Sequence, residues 1–142
     1  MKLNLACCQA PVTDDLKHNL SVTEQYIERA AQRGADIVLL PEMFCCPYDN
    51  SCFPAYAQSA AGEIASFLAK TAANNHIYLF AGSFPELENS KIYNTCLVFS
   101  REGQLIGKHR KVHLFDISVE NGISFQESDI LTLSLIHISE PT

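Results

Sequence analysis

Apolar residues recur in two different rhythms along this chain. Residues 3–10 read as a strand, and residues 11–15 as a loop in which Asp14 or Asp15 is placed to cap a helix. Leu16, Leu20, Ile27, Ala30 and Ala31 then fall on one helical face, which predicts a helix over 16–33 with Gly34 as its terminator. Residues 35–40 read as a strand whose positions 37–40 are continuously apolar, the pattern of a central strand covered on both faces, and Pro41 ends it. Residues 45–56 are rich in Pro, Asn and aromatics and read as a loop. Ile64, Phe67, Leu68, Thr71 and Ala72 mark a second amphipathic helix over 61–74. Strands follow over 77–84, 93–99 and 104–109, the last two joined into a hairpin by a tight turn at Arg101-Glu102-Gly103.

The predicted order is β-α-β-α-β-β-β. Strands separated by helices imply right-handed parallel crossovers, and the hairpin adds an antiparallel portion, so the class is α/β with a mixed sheet. Both helices are expected on one face of that sheet. Residues 112–128 are polar, Gly-containing and irregular, which suits an active-site loop.

Composition narrows the function more than the fold. The chain has 142 residues and a net charge of -6, which argues against a phosphate-binding surface and so against nucleic acid as a partner. It holds no run of about 18 apolar residues, so no membrane span is read. Residues 1–10 are too short and strand-like for a secretion signal, which makes the cytoplasm the expected compartment. The six cysteines then read as free thiols. Cys7-Cys8 and Cys45-Cys46 are adjacent pairs and Cys52 and Cys96 are single, a spacing that fits no zinc site; each reads as a small buried hydrophobe.

Two ionisable residues stand at the ends of apolar or strand-like runs, where a parallel sheet delivers catalytic groups. Glu42 follows Leu39-Leu40-Pro41, and Lys111 closes Lys108-His109-Arg110-Lys111. Alone, the first reads most often as a solvated loop residue and the second as part of a solvated basic face. Together they offer a base and a charge stabiliser, but neither is a good nucleophile for an amide carbon. A third group is needed. Cys45 and Cys46 are near Glu42 in sequence, yet they lie on an ordinary post-strand loop.

In order and spacing, these motifs resemble the nitrilase superfamily of carbon–nitrogen hydrolases over about residues 1–132. Leu40-Pro41-Glu42 looks like its general-base motif and Arg110-Lys111-Val112-His113-Leu114-Phe115 like its catalytic-lysine motif. Gly82-Ser83-Phe84-Pro85-Glu86, Tyr93-Asn94-Thr95-Cys96, His113-Leu114-Phe115-Asp116 and Phe125-Gln126-Glu127-Ser128 are similar to the ω-amidase branch. The resemblance implies the N-terminal portion of a four-layer α-β-β-α sandwich that associates as a homodimer at full length. It implies Glu42 as base, Lys111 as oxyanion stabiliser, Glu127 as supporting carboxylate and Tyr48 as a substrate-pocket residue; His113 is expected to be structural. It implies a cysteine nucleophile and neither a metal nor an organic cofactor. The family places that cysteine on an elbow after the Phe-Gln-Glu-Ser segment, and no cysteine follows Cys96 here.

The expected activity is therefore hydrolysis of the ω-amide of a small carboxylated substrate such as 2-oxoglutaramate, with this chain inactive because it is truncated. A carbamoyl-amino-acid hydrolase, another amidase of the superfamily, or a non-catalytic α/β binding module are the alternatives. Residues 133–142 resemble translated sequencing-adapter read-through, so the domain is expected to end near residue 132 and the remainder to be a non-native tail. Glu42 and Lys111 are expected at one sheet edge within about 10 Å of each other, as a shared reacting centre requires. Glu42 is expected to be largely buried, with Lys111 as its nearest cation.

Overall fold

The computed structural model describes residues 2–120 and 122–134. The expected tail over 133–142 falls, beyond Ser134, outside the described residues. β1 (Leu5–Cys7), β2 (Ile37–Leu39), β3 (Tyr78–Glu88), β4 (Lys91–Phe99) and β5 (Leu105–Arg110) form one sheet in that order. β1, β2 and β3 run parallel, while β3–β4 and β4–β5 are antiparallel. α1 (Leu16–Gln32) and α3 (Glu63–Asn75) supply the crossovers. This is the mixed α/β sheet that the periodicity predicted, with one helical layer on one face.

Local chemistry explains the helix ends. Asp15 caps α1 by accepting from the His18 N–H at 3.1 Å. Gly34, at φ 83°, ends α1 with its N–H on the Ala31 carbonyl. α3 ends instead on His76 in the left-handed region. The core is a single cluster that joins Leu20 and Ile27 of α1 and Leu68 and Ala72 of α3 to Val38, Leu79, Ala81, Leu97 and Phe99 of the sheet.

The opposite face carries no helix among the described residues. Leu5, Cys7, Tyr78 and Phe80 are exposed there, and Ile37 and Leu39 are half-buried. Residues 35–40 are therefore covered on one face only among the described residues, and the other sheet face is apolar and exposed.

Several shorter elements were not anticipated. β3 continues through Pro85 to Glu88 and turns into β4 at Asn89-Ser90, both with positive φ, as a two-residue hairpin turn requires. One turn of helix, α2 (Phe53–Tyr56), interrupts the aromatic loop. The segment 112–128 contains a small hairpin, β6 (Asp116–Ser118) with β7 (Ser124–Gln126), followed by a 3-10 turn at Glu127–Asp129.

β3 also carries a bulge between Ala81 and Phe84. At its centre, Gly82 has φ 23°, and a Cβ there would lie 2.0 Å from the Pro41 carbonyl oxygen and 2.4 Å from that of Leu40. Only glycine permits this approach. Ser83 then fastens the chain that follows β2: its Oγ accepts from the Met43 N–H at 3.0 Å, and its carbonyl accepts from the Phe44 N–H at 3.1 Å. Glu42 is thus held between Pro41 and a left-handed Met43.

Candidate active site

Three backbone anchors converge at one end of the sheet. Glu42 is fixed by the bulge. Lys111 stands one residue beyond β5, and its N–H donates to the Asn94 carbonyl at 2.8 Å, extending the β4–β5 ladder by one rung. Glu127 opens the 3-10 turn, where its own N–H donates to the Phe115 carbonyl at 3.1 Å and its carbonyl accepts from the Leu131 N–H at 2.7 Å.

The side chains meet around the Lys111 ammonium. Nζ lies 2.8 Å from Glu42 Oε1 and 3.1–3.2 Å from the two carboxylate oxygens of Glu127. The shared-centre expectation for Glu42 and Lys111 is met by direct contact. Asn94 Nδ2 donates to the same Glu42 Oε1 at 2.7 Å. Glu127 is fully buried; it also accepts from the Phe115 N–H at 2.6 Å and from the Tyr48 hydroxyl.

The environments of the two carboxylates differ. The Glu127 side chain has no exposed surface, whereas 47% of the Glu42 side chain is exposed. The expectation of a buried Glu42 is corrected here: it opens onto the uncovered sheet face, into a cleft of about 190 Å³ lined by Glu42, Gly82, Ser83, Asn94, Cys96, His109 and Lys111. Burial works against the Lys111 charge, but the hydrogen bonds to Glu42 and Glu127 outweigh it and hold its pKa above the ordinary lysine value. Lys111 is consequently a cation at neutral pH and is suited to stabilise negative charge rather than to take a proton. Burial, followed by the neighbouring Glu127 and Glu42 carboxylates, pushes the Tyr48 phenol up, so it remains a neutral donor.

Tyr48 does not line the cleft. Its hydroxyl is engaged by Glu127, and its ring meets Phe53 edge-on at 5.6 Å and Phe125 at 5.7 Å. His113 is exposed and also lies outside the cleft lining. Cys45 and Cys46 are buried, and their mutual hydrogen bond and burial push the Cys45 thiol well up, which suits packing rather than nucleophilic attack. Cys96 lines the cleft, but burial raises its thiol as well.

Behind Lys111, a second ionic cluster clamps β3, β4 and β5 together. Glu86 is 1% exposed. Its Oε2 accepts from Arg110 Nε at 2.8 Å and from Thr95 Oγ1 at 2.6 Å, and its Oε1 accepts from Arg110 Nη2 at 2.9 Å and from Lys108 Nζ. Burial pushes the Glu86 carboxyl up, but Arg110, Lys108 and Thr95 prevail and hold it at about 2. Arg110 further pairs with Glu88 at 2.8 Å and lies 3.9 Å over the Tyr93 ring. Motif reading had included Glu86 and Asn94 without giving either a role.

Comparison with known proteins extends these observations. The family model described as carbon-nitrogen hydrolase matches residues 4–132. The ω-amidase NIT2-B of Xenopus laevis is 46% identical over 131 residues, covering 92% of this chain and 48% of that protein. The chloroplastic ω-amidase of Arabidopsis thaliana is 43% identical over 136 residues, covering 92% of this chain and 37% of that one. Among solved structures, Saccharomyces cerevisiae Nit3, a member of branch 10 of the nitrilase superfamily, matches with a TM-score of 0.75 at 34% identity, over 87% of this chain and 45% of that chain. The chain thus spans less than half the length of each of these proteins.

Proposed function

Because the chain belongs to the carbon–nitrogen hydrolase family, we propose that it is the base- and lysine-bearing portion of an amidase that hydrolyses the ω-amide of a small carboxylated substrate, such as 2-oxoglutaramate, and releases ammonia. The observation that carries this reading is the single ammonium of Lys111 set between the Glu42 and Glu127 carboxylates beside an open cleft. The choice of an ω-amide follows the ω-amidases that the chain resembles.

The geometry suits the following sequence. Glu42 takes the proton of a cysteine thiol contributed by the remainder of a longer parent protein. The thiolate attacks the amide carbon, and the carbonyl oxygen becomes an oxyanion. An ammonium has three N–H donors. Those of Lys111 that point to Glu42 and Glu127 leave one for the oxyanion. Glu42 passes its proton to the leaving nitrogen, ammonia departs, and a thioester remains. Water then gives one proton to Glu42 as its oxygen attacks the thioester carbon; Glu42 returns that proton to sulfur, and the carboxylic acid leaves and gives its own proton to solvent. Glu127 holds Lys111 from the buried side, and Tyr48 holds Glu127.

We further propose that the 142-residue chain is inactive alone and that the full-length parent is a cytoplasmic homodimer. The test is ammonia release from 2-oxoglutaramate, related ω-amides and carbamoyl amino acids by the full-length parent and by residues 1–142. Turnover of ω-amides by the parent alone is the expected result. Preference for carbamoyl amino acids would replace the substrate class, and turnover by the 142-residue chain would overturn the missing nucleophile.

A further inference from the structure

The geometry points to Asn94 as the positioning residue that sets both the direction and the basic oxygen of Glu42, an inference that rests on the amidase reading above. Asn94 is 3% exposed and sits on β4 between the two charged groups. Its main chain and its side chain act on different partners. The carbonyl receives the Lys111 N–H at 2.8 Å, while Nδ2 donates to Glu42 Oε1 at 2.7 Å. One buried residue therefore ties the loop after β2 to the end of β5, two segments 69 residues apart in the chain.

The second consequence is chemical. Lys111 Nζ and Asn94 Nδ2 both donate to Oε1 of Glu42. An oxygen that already accepts two hydrogen bonds is a poorer proton acceptor than its geminal partner, because each donor withdraws electron density from it. The nucleophile's proton is therefore taken on Oε2, and the carboxylate is kept from rotating by two donors that approach Oε1, one from β4 and one from the residue that follows β5. Such alignment is the kind of preorganisation whose loss costs a reaction on the order of 10²-fold.

Side-chain substitution separates the two roles, since Asn94→Ala keeps the main-chain rung to Lys111 and removes only the donor to Glu42. In the full-length parent, N94A should lower kcat and kcat/KM together by on the order of 10²-fold with KM unchanged. N94D should fall further than N94A, because it sets a carboxylate against the Glu42 carboxylate. A packing role predicts the reverse order, since Asp is closer to Asn in size. N94D at or above N94A, or an unchanged kcat in N94A, overturns the proposal. A second readout needs no turnover: in ¹⁵N-labelled parent, the Asn94 side-chain amide should be displaced downfield by its carboxylate acceptor and should return on Glu42→Gln. An amide resonance indifferent to E42Q overturns the pairing whatever the activity. A parent that releases no ammonia from any amide, yet shows the E42Q-sensitive resonance, overturns the amidase reading and supports the Asn94–Glu42 pairing.

Discussion

Arg110 and Lys111 are adjacent in the chain yet bind different carboxylates. Arg110 holds Glu86 and Glu88, and Lys111 holds Glu42 and Glu127. The first residue secures β5 to its neighbours, and the second presents an ammonium to the cleft. A cation that must stay aimed is thus placed directly after one whose side chain is locked by a buried partner.

Removing the cleft charges should affect turnover and folding differently. In the full-length parent, Lys111→Met should lower kcat/KM by on the order of 10²–10³-fold, and E42Q by on the order of 10²–10⁴-fold. The Glu42 side chain is 47% exposed, so the urea midpoint of E42Q should move little, whereas Lys111→Met also strips the buried Glu127 of its cation and should lower the midpoint. Steady-state kinetics alongside denaturation checks this, and a large stability loss with kcat intact would refute the assignment.

Glu127 should behave in the opposite way. It is buried and accepts from Tyr48, Lys111 and the Phe115 N–H. Glu127→Ala would leave these donors without their acceptor, at a cost of roughly 3 kcal/mol. Tyr48→Phe removes one donor only and should cost about 1 kcal/mol. Chemical denaturation with an unchanged m-value is the measurement.

The Glu86 cluster predicts acid sensitivity. A carboxyl held at about 2, against an ordinary 4.5, binds fewer protons when folded than when unfolded. Its stabilisation, roughly 3 kcal/mol, is complete above the ordinary value and is lost as pH falls towards the folded one. Roughly 2 kcal/mol of it should be gone by pH 3. Glu86→Gln should flatten the stability–pH curve between pH 5 and 2, and an unaltered slope would show that another carboxylate governs acid unfolding.

Glycine substitutions should rank by contact rather than by φ alone. Gly34→Ala meets only Asn4 Nδ2 at 4.0 Å, so its cost is the left-handed strain of about 1–2 kcal/mol. Gly82→Ala drives a Cβ into two carbonyls and should cost more than that, with loss of activity as Glu42 shifts. Equal urea midpoints for the two variants would contradict the close approach.

Much of this was legible because it rests on short-range pattern. Both long helices and the parallel crossovers follow from periodicity, and the two ends of α1 from Asp15 and Gly34. Glu42, Lys111 and Glu127, each read from a motif in the sequence, lie together in the structure. What stayed hidden depends on register. Asn94 shows its role only once β4 is aligned with β5, and Glu86 only once the β3 bulge sets its partners. The β3–β4 hairpin escaped notice because Asn89-Ser90 lacks the Asn-Gly signature, and Pro85 masks the strand. β6 and β7 have three residues each, too few for alternation to show. Glu42 was expected to be largely buried, but the cleft that it lines lies on the uncovered sheet face.

The bulge at Gly82-Ser83 changes the parity of β3. Ahead of it, odd-numbered Leu79 and Ala81 face the core, opposite Phe99 and Leu97; past it, even-numbered Phe84 and Glu86 do, opposite Thr95 and Tyr93. One extra residue therefore acts as a phase shift for every side chain downstream. Deleting it would turn Phe84 out of the core and swing the Glu86 carboxylate from its cationic partners to the side where Glu42 already lies, leaving Arg110 buried without its counter-ion. A single deletion at this point would dismantle both ionic clusters at once.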